Sequence, residues 1–270
     1  MPFLPVRDIR IYYELRGSGP RLFFIGGTGG DLRRKPNIFD SPLARHFEIL
    51  TFDQRGLGQT SKPDLPYTMA DYAADAAGLL EALGWERCPV MGVSFGGMVA
   101  QELALRFPNR VNRLLLACTS SGGAGGASYP LHEMSDLSPE EYAERMVILS
   151  DNRRTLEWQE GHRSEFQALI EFTLAGLHVG EDEPGHRIGA RRQIEARIGH
   201  DTFERLSNLK IPVYIAGGRY DGIALPDNLQ ALAARIPGAR LELFEGGHLF
   251  FLQDSRAFER IKDFLEGIME

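Results

Sequence analysis

"VMGVSFGGMV", residues 90–99, sets a serine between two glycines, after one apolar run and ahead of another. Gly92-Val93-Ser94-Phe95-Gly96 has the form G-x-S-x-G. In that form a serine stands on a tight turn from strand to helix, where strained backbone holds its hydroxyl clear and bulky neighbours would collide. A chain with 30 glycines produces the spacing readily by chance, so the flanks carry the reading. "PVMGV" (89–93) has the apolar continuity of a strand buried on both faces. "FGGMVAQELALRFP" follows with helical spacing and stops at Pro108, which lacks the N–H a helix needs. Strand before and helix after is the context the motif demands. The first helical turn also offers free amides and a positive dipole end beside the hydroxyl.

Strand-length apolar runs recur on either side: "RLFFI" (21–25), "FEILTF" (47–52), "VNRLLLA" (111–117), "PVYIA" (212–216) and "RLELF" (240–244). Near the start, Ile9, Ile11 and Tyr13 alternate as the inward face of a first strand. Helical patterns fall between the runs. In "TMADYAADAAGLLEALG", Thr68 is the cap, Asp71 completes a capping box and Gly84 is the stop. "LPDNLQALAARIPG" and "DSRAFERIKDFLEGI" are two more. The alternation predicts an α/β fold, a mostly parallel sheet of about eight strands flanked by helices.

The rhythm breaks after residue 117. "TSSGGAGGASYP" reads as a flexible link, and "SPEEYAERMVILS" opens a helix with Ser138 and Glu141 as a capping box around Pro139. "SEFQALIEFTLAGL" and a stretch near 187–198 are further helices, and Asp201 and Glu204 repeat the capping-box spacing in "DTFERL". Residues 122–209 hold 9 Arg, no Lys and 16 acids, while the remainder balances at 21 against 21. We therefore expect a core in two parts, residues 1–120 and 207–270, with a helical insertion at 121–206.

With 43% hydrophobic and 25% charged residues in 270, the composition is that of an ordinary globular protein. A net charge of −7 disfavours a nucleic-acid partner. No apolar run has bilayer length, and "MPFLPVRDIRIYYELRG" lacks the pattern of a secretion signal. Cys88 and Cys118 lie in or beside apolar runs and read as buried free thiols in a reducing cytoplasm. The expectation is a cytoplasmic protein with a small-molecule substrate, no membrane contact and no metal; monomer and homodimer are both open.

A serine hydroxyl is a poor nucleophile without a base, and the base needs an orienting acid. After such an elbow the chain order is serine, acid, histidine. "IPVYIAGGRYDG" puts Asp221 five residues past Ala216, and "LELFEGGHLFF" puts His248 just past the last strand. Singly, an Asp before Gly is a turn former and a lone His is structural. In order, each on a strand-end loop, they point to a triad. Asp227 reads instead as first-turn acid of its helix. The loop after 117 offers Cys118, Thr119 and Ser120 but no carboxylate, and His200 reads as a satisfied or capping histidine. Phe95 supplies one oxyanion amide. The other belongs to "FFIGGTGGDLRR", whose glycines allow close backbone approach.

Taken together, these segments resemble the α/β-hydrolase superfamily over nearly the whole chain, in particular its serine esterase and enol-lactonase branch. "GGTGG" is similar to the family's His-Gly-x-Gly loop, which implies the Thr28 amide as second oxyanion donor and Gly27 beside the substrate; Gly26 stands where that loop's His is common. "FDQRGLGQTSKP" resembles the D-x-R-G-x-G-x-S segment, and the insertion corresponds to the cap. Serine at the elbow separates the chain from the dehalogenases and epoxide hydrolases, which use Asp there, and the H-G-G-P-G loop of the proline iminopeptidases is absent. The resemblance implies ester or lactone hydrolysis through an acyl-enzyme, with Ser94 as nucleophile, His248 as base, Asp221 as orienting acid and no cofactor. A C–C hydrolase of ring-fission products and a ligand-binding or signalling protein on the same scaffold remain open. Phe166, Leu169, Ile170, Thr173 and Leu174 are expected to pack rather than roof the pocket. Arg33, Arg34 and Lys35, like Arg191 and Arg192, read as solvated surface charge, and the acidic cap argues against a strongly anionic substrate.

Overall fold

Eight strands form a single sheet in the computed structural model, which describes residues 2–269. They are β1 (Phe3–Val6), β2 (Ile9–Arg16), β3 (Arg21–Ile25), β4 (Glu48–Phe52), β5 (Cys88–Val93), β6 (Val111–Ala117), β7 (Val213–Gly218) and β8 (Arg240–Phe244). Their spatial order is β1-β2-β4-β3-β5-β6-β7-β8. β2 runs antiparallel to β1 and to β4; the pairs from β4 through β8 are parallel. The expected α/β architecture is borne out. Helices α1 (Met69–Ala82), α2 (Phe95–Arg106), α7 (Pro226–Arg235) and α9 (Ala257–Glu266) cover the sheet, with a short α8 (Phe250–Gln253). Four more, α3 (Pro139–Ser150), α4 (Leu156–Gly161), α5 (Arg163–Leu177) and α6 (His186–Ile198), lie between β6 and β7.

The central apolar runs are strands because both of their faces are buried. In β6, Leu114 and Leu116 join Phe23, Leu50, Val90 and Ile215 in one core, under α1, α2 and α7. Leu115 and Ala117, on the opposite face, join Ile49, Met91 and Tyr214 against Ile261 and Phe264 of α9. Each fully buried aliphatic side chain contributes about 1.5–3 kcal/mol relative to exposure. Strand order reverses between β3 and β5, and ligands of open parallel sheets bind at the carboxyl ends beside such a reversal. The loops after β3 and β5 emerge there.

A buried ion pair fixes the turn that follows β4. Arg55 and Asp75 are 2% and 1% exposed. Arg55 Nε lies 2.7 Å from Asp75 Oδ2, and its Nη2 reaches Asp8 Oδ1 at 2.6 Å. One guanidinium thus ties the 53–61 turn to α1 and to the β1–β2 hairpin. Such a pair contributes geometry more than net stability, whereas stripping one partner from it costs about 3–5 kcal/mol.

The capping boxes at Thr68 and Ser138 are present. The one expected at Asp201 and Glu204 is not: Thr202 precedes a 3-10 turn over Phe203–Asn208 and makes no side-chain cap. Asp201 instead accepts from Phe203 N at 3.0 Å, and Glu204 is drawn off to Arg235. Among the described residues no helix is long and apolar enough to cross a membrane.

Candidate active site

Ser94 joins β5 to α2 with φ 56° and ψ −118°. A side chain rarely adopts such a backbone, and the surroundings enforce it. Ser94 N donates to Ala117 O at 2.9 Å, and Thr119 Oγ1 donates to Ser94 O at 2.8 Å. Glycine is needed on both sides for want of space. A Cβ on Gly92 would lie 2.3 Å from Gly96 O, and one on Gly96 would lie 2.1 Å from Ile25 O. Gly96→Ala is therefore expected to destabilise the fold by more than about 3 kcal/mol, beyond ordinary overpacking because the obstacle is backbone; urea unfolding monitored by circular dichroism measures it. Ser94 itself is half-buried between buried Val93 and Phe95, so of the three it alone keeps access to solvent.

Asp221 and His248 come together from the ends of β7 and β8. Asp221 is 0% exposed; its Oδ1 accepts from Ile223 N at 2.8 Å and Ala224 N at 3.0 Å. Those two amides fix the carboxylate and leave Oδ2 for the histidine, whose Nδ1 lies 2.8 Å away. His248 is 12% exposed. Gly218 permits this approach, since a Cβ there would lie 2.1 Å from Gly247 O. α3 braces both loops: His248 N donates to Ser150 O at 2.6 Å and Gly222 N to Leu149 O at 3.0 Å. Gln253 strengthens the brace, accepting from Gly247 N at 2.7 Å and donating to Asp151 Oδ2 at 2.9 Å.

Between the two halves lies Cys118, fully buried, with the Asp221 carboxylate and the Ser94 amide as neighbours. Burial, and then the Asp221 charge, push its thiol well above the ordinary range. That makes it an inert filler rather than a rival nucleophile. Burial likewise pushes Cys88 up to about 12, and both thiols are free. No hydrogen bond among the described residues joins Ser94 Oγ to His248 Nε2. The structure thus pairs the acid with the imidazole and leaves the serine hydroxyl unpaired.

The glycine loop after β3 lies against the elbow. A Cβ on Gly27 would sit 3.5 Å from Ser94 Cβ. Thr28 N and Phe95 N, the two expected oxyanion donors, have no acceptor among the described residues; for Phe95 this follows from its place in the first helical turn. Gly26, which lacks the histidine common at that position, is braced from elsewhere. Gln54 Nε2 donates to Gly26 O at 2.9 Å, and Asp53 Oδ1 accepts from Leu32 N at 2.8 Å. Burial pushes Asp53 up to about 7, against the backbone amides that favour its charge.

A family model described as the alpha/beta hydrolase fold matches residues 20–255. The chain belongs to the α/β hydrolase family. This α/β hydrolase is similar to the poly(3-hydroxyalkanoate) depolymerase of Ectopseudomonas oleovorans, at 28% identity over 87% of this chain and 80% of that protein. It is similar to 3-oxoadipate enol-lactonase 2 of Acinetobacter baylyi, at 25% identity over 99% of this chain and 96% of that one. Among solved structures, a hydrolase from Pseudomonas aeruginosa PA01 superposes with a TM-score of 0.78 at 27% identity, covering 98% of this chain and 97% of that one.

In this α/β hydrolase a cavity of about 830 Å³ is bordered by the glycine loop and by the segment between β6 and β7. Thr28, Gly29 and Arg34 line one wall; Leu131, Tyr142 and Gln193 line another. None of Phe166, Leu169, Ile170, Thr173 and Leu174 lines it; their helix, α5, packs on α3 and α4. A second cavity of about 100 Å³ contains His200, Arg197 and Ser120. Neither ring nitrogen of His200 makes a well-formed hydrogen bond among the described residues, although the Ser120 backbone lies near enough to favour its proton, and burial pushes its pKa down to about 4. Of the basic run, Arg33 pairs with Asp31 and Glu183, and Lys35 with Asp40. Arg192 pairs with Asp64 and Glu195. Sequence reading passes over Gln54 and Gln193. In the structure Gln193 belongs with Gly189 and Ala196 to the buried stripe of α6, where a polar residue needs a reason.

Proposed function

We propose that this chain is a serine hydrolase of small-molecule carboxylic esters or lactones. The carrying observation is the Asp221 carboxylate, locked by two backbone amides with Oδ2 on His248 Nδ1, at the sheet end where strained Ser94 presents its hydroxyl. With Nδ1 protonated and engaged, Nε2 is left as the basic nitrogen. His248 takes the Ser94 proton as Oγ attacks the carbonyl carbon, and Asp221 stabilises the imidazolium. The Thr28 and Phe95 amides receive the oxyanion, and Gly27 borders the substrate. His248 returns its proton to the leaving alkoxide. Water, activated by the same imidazole, then opens the acyl-enzyme and releases the acid. The lack of a Ser94–His248 hydrogen bond among the described residues is compatible with this scheme, because catalytic hydrogen bonds often tighten only with substrate in place.

The names of the relatives, a polyhydroxyalkanoate depolymerase and an enol-lactonase, support this class. Residues 121–206 act as the cap, roofing the larger cavity and choosing the substrate, and two buried free thiols suit a cytoplasmic protein. The test is active-site labelling with a fluorophosphonate. One phosphonyl group per chain, mapped to the peptide carrying Ser94 and blocked by excess nitrophenyl ester, is the expected result. No labelling, or labelling elsewhere, contradicts the reading.

A further inference from the structure

The larger cavity contains a cation that forms no ion pair among the described residues. Arg34 is half-buried and has neither an ion pair nor a side-chain hydrogen bond among the described residues, and its Nε is sealed from water without an acceptor. Its neighbours Arg33 and Lys35 are both paired. The acids that line the same cavity are already engaged: Asp31 with Arg33, Glu181 with His178 and Glu195 with Arg192. Burial lowers the affinity of Arg34 for its proton, yet a guanidinium keeps its charge in proteins. An unpaired buried charge is costly unless a bound group compensates it.

A second donor without a partner stands beside it. Gln193 is 1% exposed, and its Oε1 accepts from Gly29 N at 2.8 Å. That bond fixes the amide and commits Nε2 as a donor, sealed and with no acceptor among the described residues. Arg34 converges on the same glycine: a Cβ at Gly29 would lie 3.7 Å from Arg34 Nη1. Gly29 directly follows Thr28, and consecutive residues are about 3.8 Å apart. Two donor groups thus flank a point one residue along from the expected oxyanion amide.

We propose that Arg34 and Gln193 form a subsite for a carboxylate carried by the substrate, a few bonds from the scissile carbonyl. The proposal rests on the ester-hydrolase reading above. It reverses the expectation drawn from the acidic cap, because the three acids that line the cavity are engaged by Arg33, His178 and Arg192. The preferred substrates are half-esters of short dicarboxylic acids, or lactones bearing a short carboxylate arm.

The test compares mono-4-nitrophenyl glutarate with its neutral methyl ester, each corrected for spontaneous hydrolysis. The wild-type ratio of kcat/KM, charged over neutral, is expected to exceed about tenfold, the scale of one charge-assisted hydrogen bond. It should fall to about one in Arg34→Gln and be partly restored in Arg34→Lys. Gln193→Glu keeps the Gly29 bond but turns the free donor into a negative acceptor, so it should lower the ratio even if Arg34→Gln folds poorly. Calorimetric titration with glutarate reads the subsite without turnover; binding should be lost in both Arg34→Gln and Gln193→Glu, and equimolar phosphate should not compete. If neither ester is cleaved, the hydrolase reading fails and the glutarate titration alone decides the subsite. Unchanged ratios and unchanged glutarate binding in the folded variants, or equal competition by phosphate, would overturn the carboxylate assignment.

Discussion

Ser94→Ala is expected to lower kcat for a nitrophenyl ester by about a millionfold, the loss typical of removing a serine nucleophile. Stability should not suffer, because Ser94 Oγ bonds to nothing among the described residues and the elbow is held through backbone N and O. A thermal melt beside the stopped assay separates the two effects. Some turnover should survive, since oxyanion donors and binding alone retain about 10³–10⁴-fold over water. A variant with near-normal kcat would show that another group attacks the carbonyl, and the fully buried Cys118 is poorly placed to be that group.

The next largest effect belongs to Asp221→Asn, expected to lower kcat by about 10⁴. The reason lies in which oxygen does what. Oδ1 is pinned by the Ile223 and Ala224 amides, so an asparagine must keep its carbonyl oxygen there. Its NH2 then faces His248 Nδ1, which is forced to accept. The ring proton moves to Nε2, pointing at the hydroxyl it ought to deprotonate. KM should change little, because the residue is buried and out of substrate reach. A loss of less than about tenfold would mean that His248 does not depend on this carboxylate for its tautomer.

Much of this architecture is legible in the chain because the strands advertise themselves. β3, β6 and β8 begin and end where the apolar runs do; in β3 and in residues 114–117 of β6 burial leaves little room for a polar side chain, whereas β8, at the sheet edge, keeps Arg240 and Glu242 at least partly open. β1 escapes for the opposite reason: four residues with a proline, at the sheet edge, carry too short a pattern. α4, six residues with none buried, escapes likewise. Ser94, Asp221 and His248 can be nominated because each is tied to the end of a strand, and strand ends gather at one rim of a parallel sheet. Gln54, Gln193 and Arg34 could not be weighed that way. Gln193 matters only because α6 brings it to a glycine 164 positions earlier, and Arg34 only because its neighbours, not it, find acids. Such roles are set by tertiary contact between segments whose local patterns are unremarkable.

The central claim is spatial, that the three side chains and two amides converge on one reacting carbon, and a crystal structure of the phosphonylated enzyme tests it most directly. The account predicts phosphorus on Ser94 Oγ, its free oxygen about 2.7–3.1 Å from both Thr28 N and Phe95 N, and His248 Nε2 within hydrogen-bond reach of Oγ. A phosphonyl oxygen turned away from those amides, or an imidazole still out of reach, would contradict it.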